Sequence, residues 1–166
     1  MMMHLGWPVG VAGYLPDMLK PKPGDCSVVV VANEGEGFEG DDGVFFNPEG
    51  SVSVLKFNDL DAAVSSNVEV DFTSLNDKAQ MHYQRGVHYA LRPEVAAAVG
   101  YNASEATLSK DLEPEYVSYS KDGNTAIITL QDNNAFISVN ITDPLNPVLG
   151  PLLPIGFKDW TGLYVS

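Results

Sequence analysis

The chain has 166 residues, enough for one domain with a sizeable core, and 45% of them are hydrophobic, as in an ordinary globular protein. Twenty-two acids against nine bases give a net charge of −13. That balance lacks the basic footprint that nucleic acid or an anionic membrane requires, and it makes cations the natural small partners.

A single cysteine, Cys26, permits no internal disulfide, and its apolar neighbours suggest a buried thiol rather than a nucleophile. No apolar run reaches the ~18 residues of a membrane span, so no transmembrane segment is expected. Residues 1–11 make a poor signal peptide, because they lack a basic start and Gly6, Pro8 and Gly10 interrupt them.

The first structured unit opens on Leu15-Pro16-Asp17-Met18-Leu19-Lys20. Pro21-Lys22-Pro23-Gly24-Asp25 is turn chemistry. Residues 28–31 are four consecutive valines, as expected of a strand buried on both faces. Residues 51–57 read as the next strand, with unequal faces. Residues 58–67 are polar and read as a loop or short helix, and residues 68–75 alternate as a further strand. Residues 77–85 have helical composition with Gly86 placed to stop the helix, and Pro93 and Gly100 bracket a second short helix.

A second unit then repeats the first. Glu113-Pro114-Glu115-Tyr116 leads into a strand over 116–120, and a hairpin turn at 121–124 takes its positive φ from Gly123. Strands over 126–130 and 136–141 follow, separated by Asp132-Asn133-Asn134. Residues 143–147 break the pattern. Residues 149–157, with Pro151 and Pro154, read as an edge strand or an extended connection.

The repeated order of proline and acid, strand, turn, strand, loop, strand is that of a β-propeller blade. The expected fold is mainly β and propeller-like, with two blade-like units over 14–57 and 111–142. An insert over 58–110, helical around 76–100, separates them, and a connection over 143–166 follows. Two blades do not close a ring, which takes about four to eight. The chain is therefore expected to be a piece of a longer protein or of an assembly, with open sheet edges that favour self-association.

The first unit carries an acidic insertion where the second has a short turn. Glu34, Glu36, Glu39, Asp41 and Asp42 crowd one segment, and no Lys or Arg occurs between Lys22 and Lys56. Such a segment is either a solvated loop or a site for a hard cation, Ca²⁺ first, which takes six to eight oxygens. Gly35, Gly37, Gly40 and Gly43 would let the backbone wrap an ion, although the spacing is not that of an EF-hand. A second acidic stretch holds Glu113 and Glu115, which face the same way in a strand. With Asp17, which takes the place of Glu115 in the first unit, they would line one end of a propeller; alternatively they cap backbone amides.

His4, His82 and His88 lack zinc-ligand spacing and read as structural or surface residues. No nucleophile elbow or phosphate-binding loop occurs. Lys20, Lys22, Arg85 and Arg92 are scattered rather than clustered as a phosphate clamp. Phe157, Trp160 and Tyr164 read as core packing. Asn102-Ala103-Ser104 and Asn140-Ile141-Thr142 are glycosylation sequons at Asn102 and Asn140.

Several strings resemble the mesenchyme-specific cell-surface glycoprotein family and its bacterial relatives, the choice-of-anchor I domain proteins. They include Leu15-Pro16-Asp17-Met18-Leu19, Val31-Ala32-Asn33-Glu34-Gly35-Glu36, Leu130-Gln131-Asp132-Asn133-Asn134-Ala135 and Leu153-Pro154-Ile155-Gly156-Phe157-Lys158-Asp159. The resemblance runs in order from about Leu15 to Trp160. It implies a secreted or surface-anchored, propeller-like protein associated in animals with calcium-carbonate biomineralisation. The leading expectation is an extracellular or cell-surface acidic glycoprotein segment that binds Ca²⁺ and meets matrix proteins or mineral. Two alternatives are a metal-dependent phosphoesterase of propeller type, in which clustered carboxylates hold a metal that activates water, and a metal-free interaction scaffold.

Overall fold

Local chemistry lays out the strands: β-branched runs extend, and Gly and Pro turn the chain between them. The computed structural model describes residues 12–58 and 63–157. In the first half, β1 (Pro16–Lys22), β2 (Asp25–Asn33), β5 (Ser51–Phe57) and β6 (Val64–Asp71) pair antiparallel in that order. Between β2 and β5 the chain makes a small separate hairpin of β3 (Phe38–Glu39) and β4 (Phe45–Phe46). In the second half, β7 (Tyr116–Tyr119), β8 (Thr125–Leu130), β9 (Ala135–Asn140) and β10 (Val148–Pro154) form an uninterrupted antiparallel meander.

A 3₁₀ turn (Thr73–Lys78) and three short helices connect the halves: α1 (Ala79–Gln84), α2 (Pro93–Ala98) and α3 (Leu108–Asp111). Pro93 opens α2, where its missing N–H costs nothing. Gly86, at φ 102°, follows the turn that ends α1.

Alternation along the strands turns one face of each sheet inward. Val28, Val30, Ala32, Val52, Val54 and Val70 from the first sheet meet Val117, Ala126, Ile128, Leu130, Ile137 and Val139 from the second in one core. Each Val, Leu or Ile among them contributes about 1.5–3 kcal/mol by leaving water. The first strands, β1 and β7, lie against one another. The Tyr119 hydroxyl donates to the Lys20 carbonyl at 2.6 Å, and the Val117 N–H donates to Met18 Sδ at 3.2 Å. At one end the β1–β2 and β7–β8 turns meet, where a Cβ on Gly123 would lie 3.1 Å from the Pro23 carbonyl. Both first strands therefore begin at the opposite, shared end.

The fold is mainly β and antiparallel, and the described residues form no closed ring of sheets. Each sheet carries a fourth strand beyond the repeated three. β6 begins at Val64, within the stretch read as loop or short helix, and Leu75 falls in the 3₁₀ turn rather than in a strand. β10 is an edge strand, and its pairing with β9 is interrupted by a register shift around Gly150 and Pro151.

Two side chains correct the sequence reading. Cys26 is exposed, not buried. It precedes the buried part of β2, and β5 begins to cover that strand only at Val28. Phe157 stands 81% exposed rather than in the core, because the chain has left β10 before reaching it; Trp160 and Tyr164 lie outside the described residues. Among those residues, no helix is long and apolar enough to cross a membrane.

Candidate functional site at the shared end of the sheets

The end at which β1 and β7 begin gathers acid from both halves. Asp17 stands on β1, exposed. Glu34 follows directly on β2, and Glu36 lies two residues beyond it. The Glu34 amide donates to the Leu15 carbonyl at 2.9 Å and the Gly35 amide to the Tyr14 carbonyl at 3.1 Å, which ties this corner to the strand entry. Gly35 sits at φ 69°, and a Cβ there would lie 2.6 Å from the Gly50 amide nitrogen. A Cβ on Gly50 would in turn lie 2.0 Å from the Leu112 carbonyl oxygen. Two glycines thus allow the first sheet to press against the segment that carries Glu113.

The second half supplies Glu113, Glu115 and Asp132. Asn133, fully buried, fixes this segment from within. Its Oδ1 accepts the Glu113 N–H at 2.9 Å, and its Nδ2 donates to the carbonyls of Asp111 at 2.6 Å and His88 at 3.2 Å. The Asp111 carboxylate accepts the N–H groups of Ala90 at 2.9 Å and Leu91 at 2.8 Å. Burial pushes the Asp111 carboxyl up, against the pull of those amides. Glu115 accepts the Gln131 backbone N–H at 3.1 Å and a second bond from the Gln131 side-chain amide. His88 donates from Nδ1 to the Asp132 carbonyl at 2.9 Å.

The carboxylates act on one another. Partial burial, followed by repulsion from Glu36, Asp17, Glu115 and Asp132, holds the Glu34 carboxyl above the usual range. Glu113 is pushed up to about 7, first by burial, then by the neighbouring Asp132 and by repulsion from Glu34 and Asp111. Acids from both sheets therefore share one electrostatic field, and a cation placed there would relieve it. Among the described residues, no three His, Cys, Asp or Glu side chains stand together as a ready-made metal set.

The acidic insertion divides. Glu34 and Glu36 join the sheet-end cluster, together with Asp17, Glu113 and Glu115. Glu39, Asp41 and Asp42 sit exposed on the β3–β4 hairpin, where Asp42 accepts the Val44 N–H at 3.1 Å. Asp132, read from sequence only as a turn residue, belongs to the cluster. The available signal was its place: like Glu34, it stands within two residues of the end of its sheet's second strand. His82 is buried, with neither ring nitrogen hydrogen-bonded among the described residues. Three of the four scattered bases are separately engaged: Lys20 over the Tyr116 ring, Lys22 at the Ile141 carbonyl, Arg92 on the Tyr83 ring and Glu94. Asn102 and Asn140 are both exposed.

A family model for the choice-of-anchor I domain matches residues 8–165. The chain belongs to this family. The choice-of-anchor I match covers both sheets, the connecting helices and every residue of the acidic end. The domain's name points to a cell-surface or extracellular protein. No curated protein matches the chain significantly.

Proposed function

We propose that this choice-of-anchor I chain is an extracellular or cell-surface binding segment that takes up Ca²⁺ at the shared acidic end of its two sheets. Through that ion it meets matrix proteins or mineral. The reading rests on one observation above all: acids far apart in sequence converge at one end of the molecule, where Glu36, Asp17, Glu115 and Asp132 act on the Glu34 carboxyl and Asp132 and Glu34 act on Glu113. A hard cation would trade that repulsion for coordination by carboxylate and carbonyl oxygen. Exposed Asn102 and Asn140 suit glycosylation in an oxidising, secreted setting. The two meanders read as successive propeller blades, because each has four antiparallel strands in chain order and the first strands stand side by side. A tie to biomineralisation and to the mesenchyme-specific glycoproteins would extend the same chemistry to calcium carbonate.

Isothermal titration with CaCl₂ tests the reading. Binding is expected at about 0.1–1 mM, the range of extracellular calcium modules. The pair Glu34→Gln and Glu113→Gln should weaken it about tenfold or more, whereas Asp77→Asn, on the connecting 3₁₀ turn, should leave it unchanged. No heat above dilution at millimolar Ca²⁺ would remove the metal from the proposal.

A further inference from the structure

The β3–β4 hairpin is a second surface, with chemistry of its own. It exposes aromatic rings that a core would normally hide: Phe38 is 48% exposed, and Phe45 and Phe46 are each 44% exposed. Tyr14 packs on Phe46 with ring centroids 5.3 Å apart, and Phe38 meets the same ring edge-on at 5.5 Å. On the hairpin's other face Phe45 meets Tyr101 at 5.5 Å. The rings are thus propped against one another, with about half of their surface facing water. Between them stand Glu39, Asp41 and Asp42, all exposed. An exposed apolar patch of this kind marks a contact site more often than an accident of folding.

We propose that this aromatic and acidic hairpin docks an arginine-rich segment of a partner protein. The charge selects the occupant. Guanidinium groups pair with carboxylates and stack on aromatic faces, and Arg is the cation that does both best. The hairpin offers both partners within one short loop, on a chain carrying −13 overall. The surface is separate from the sheet-end calcium reading and does not depend on it: its acids are Glu39, Asp41 and Asp42 and its rings are those of the β3–β4 hairpin with Tyr14 and Tyr101, not Glu34, Glu36 and the acids around Glu113.

The test is fluorescence anisotropy with a fluorescein-labelled peptide of alternating arginine and glycine, at about 0.15 M salt. The wild-type chain should bind it. The double variant Phe38→Ala with Phe46→Ala keeps the net charge, yet should weaken binding about tenfold through the lost ring contacts. Phe38→Tyr should retain it. Asp41→Asn with Asp42→Asn should weaken binding and flatten its dependence on salt, whereas Asp122→Asn with Asp143→Asn, on the turns of the second sheet, should do neither. Far-ultraviolet circular dichroism checks that each variant remains folded, which exposed positions allow. Equal binding by the double phenylalanine variant would overturn the proposal, because the peptide would then be following the overall charge. Binding of a neutral oligosaccharide or of phosphatidylcholine vesicles at the same rings, with no arginine peptide bound, would overturn it in favour of those ligands.

Discussion

Glu113 and His82 give the chain two opposed pH dependences. The folded state holds the Glu113 proton up to about pH 7, whereas the unfolded chain releases it near the ordinary 4.5. Between these values the folded protein binds the extra proton, so this group's contribution to stability falls as pH rises. His82 runs the other way. Burial first, then Arg85 and Lys78, hold its ring below the ordinary 6.5, so its contribution is present above that value and is lost as pH falls. Urea midpoints measured over a pH series should show Glu113→Gln removing the loss on the alkaline side and His82→Leu removing the loss on the acid side. Unchanged slopes in both variants would contradict the assignments. Gly50 carries a steric prediction at the same scale. A methyl group at that position would meet backbone atoms rather than a pliable side chain. Gly50→Ala should therefore cost roughly 1–3 kcal/mol or more in urea denaturation, and it should disturb the acidic end, which that contact holds together.

At the level of elements, the hairpin can be removed without the sheet. β3 and β4 pair only with one another, and the β2–β5 ladder is complete from Asn33 opposite Ser51 to Val28 opposite Lys56. Replacing residues 37–47 by a short Gly-Ser loop should change stability by less than about 1 kcal/mol, since loop length enters the closure entropy only logarithmically. A collapse of the thermal transition in that variant would show instead that the aromatic rings belong to the core. The elements also show what was readable beforehand. The valine run, the Gly123 turn and the Pro93 helix start are local signals, and each formed where its chemistry placed it. The fourth strands were harder to read. β6 is an edge strand that buries only Val70, so Ser65, Ser66 and Asn67 disguise its first half as a loop, while its second half falls in the alternating stretch read as a strand. β10 contains two prolines, and its extended form depends on the register that β9 imposes. Cys26 is exposed despite its apolar neighbours, because neighbours in sequence do not ensure cover from the next strand.

Over the whole molecule, the two acidic stretches seen in sequence are parts of one surface and a separate loop. Sequence alone displayed Glu34 and Glu36 by their density, and Asp17, Glu113 and Glu115 by the repeat. The repeat itself put Asp17, Glu113 and Glu115 at one end, but nothing in it joined Glu34, Glu36 and Asp132 to them, because that convergence depends on β1 lying beside β7 and on Gly50 meeting Leu112. The central claim is that both sheets serve a single cation site. A Ca²⁺ titration followed by ¹H–¹⁵N correlation spectra addresses it residue by residue. The amides of Glu34, Glu36, Glu113, Glu115 and Asp132 should shift together and saturate with one affinity, while those of Asp41 and Asp42 follow weakly or not at all. Shifts confined to the hairpin around Asp41 and Asp42, or separate affinities for the two halves, would contradict a shared site.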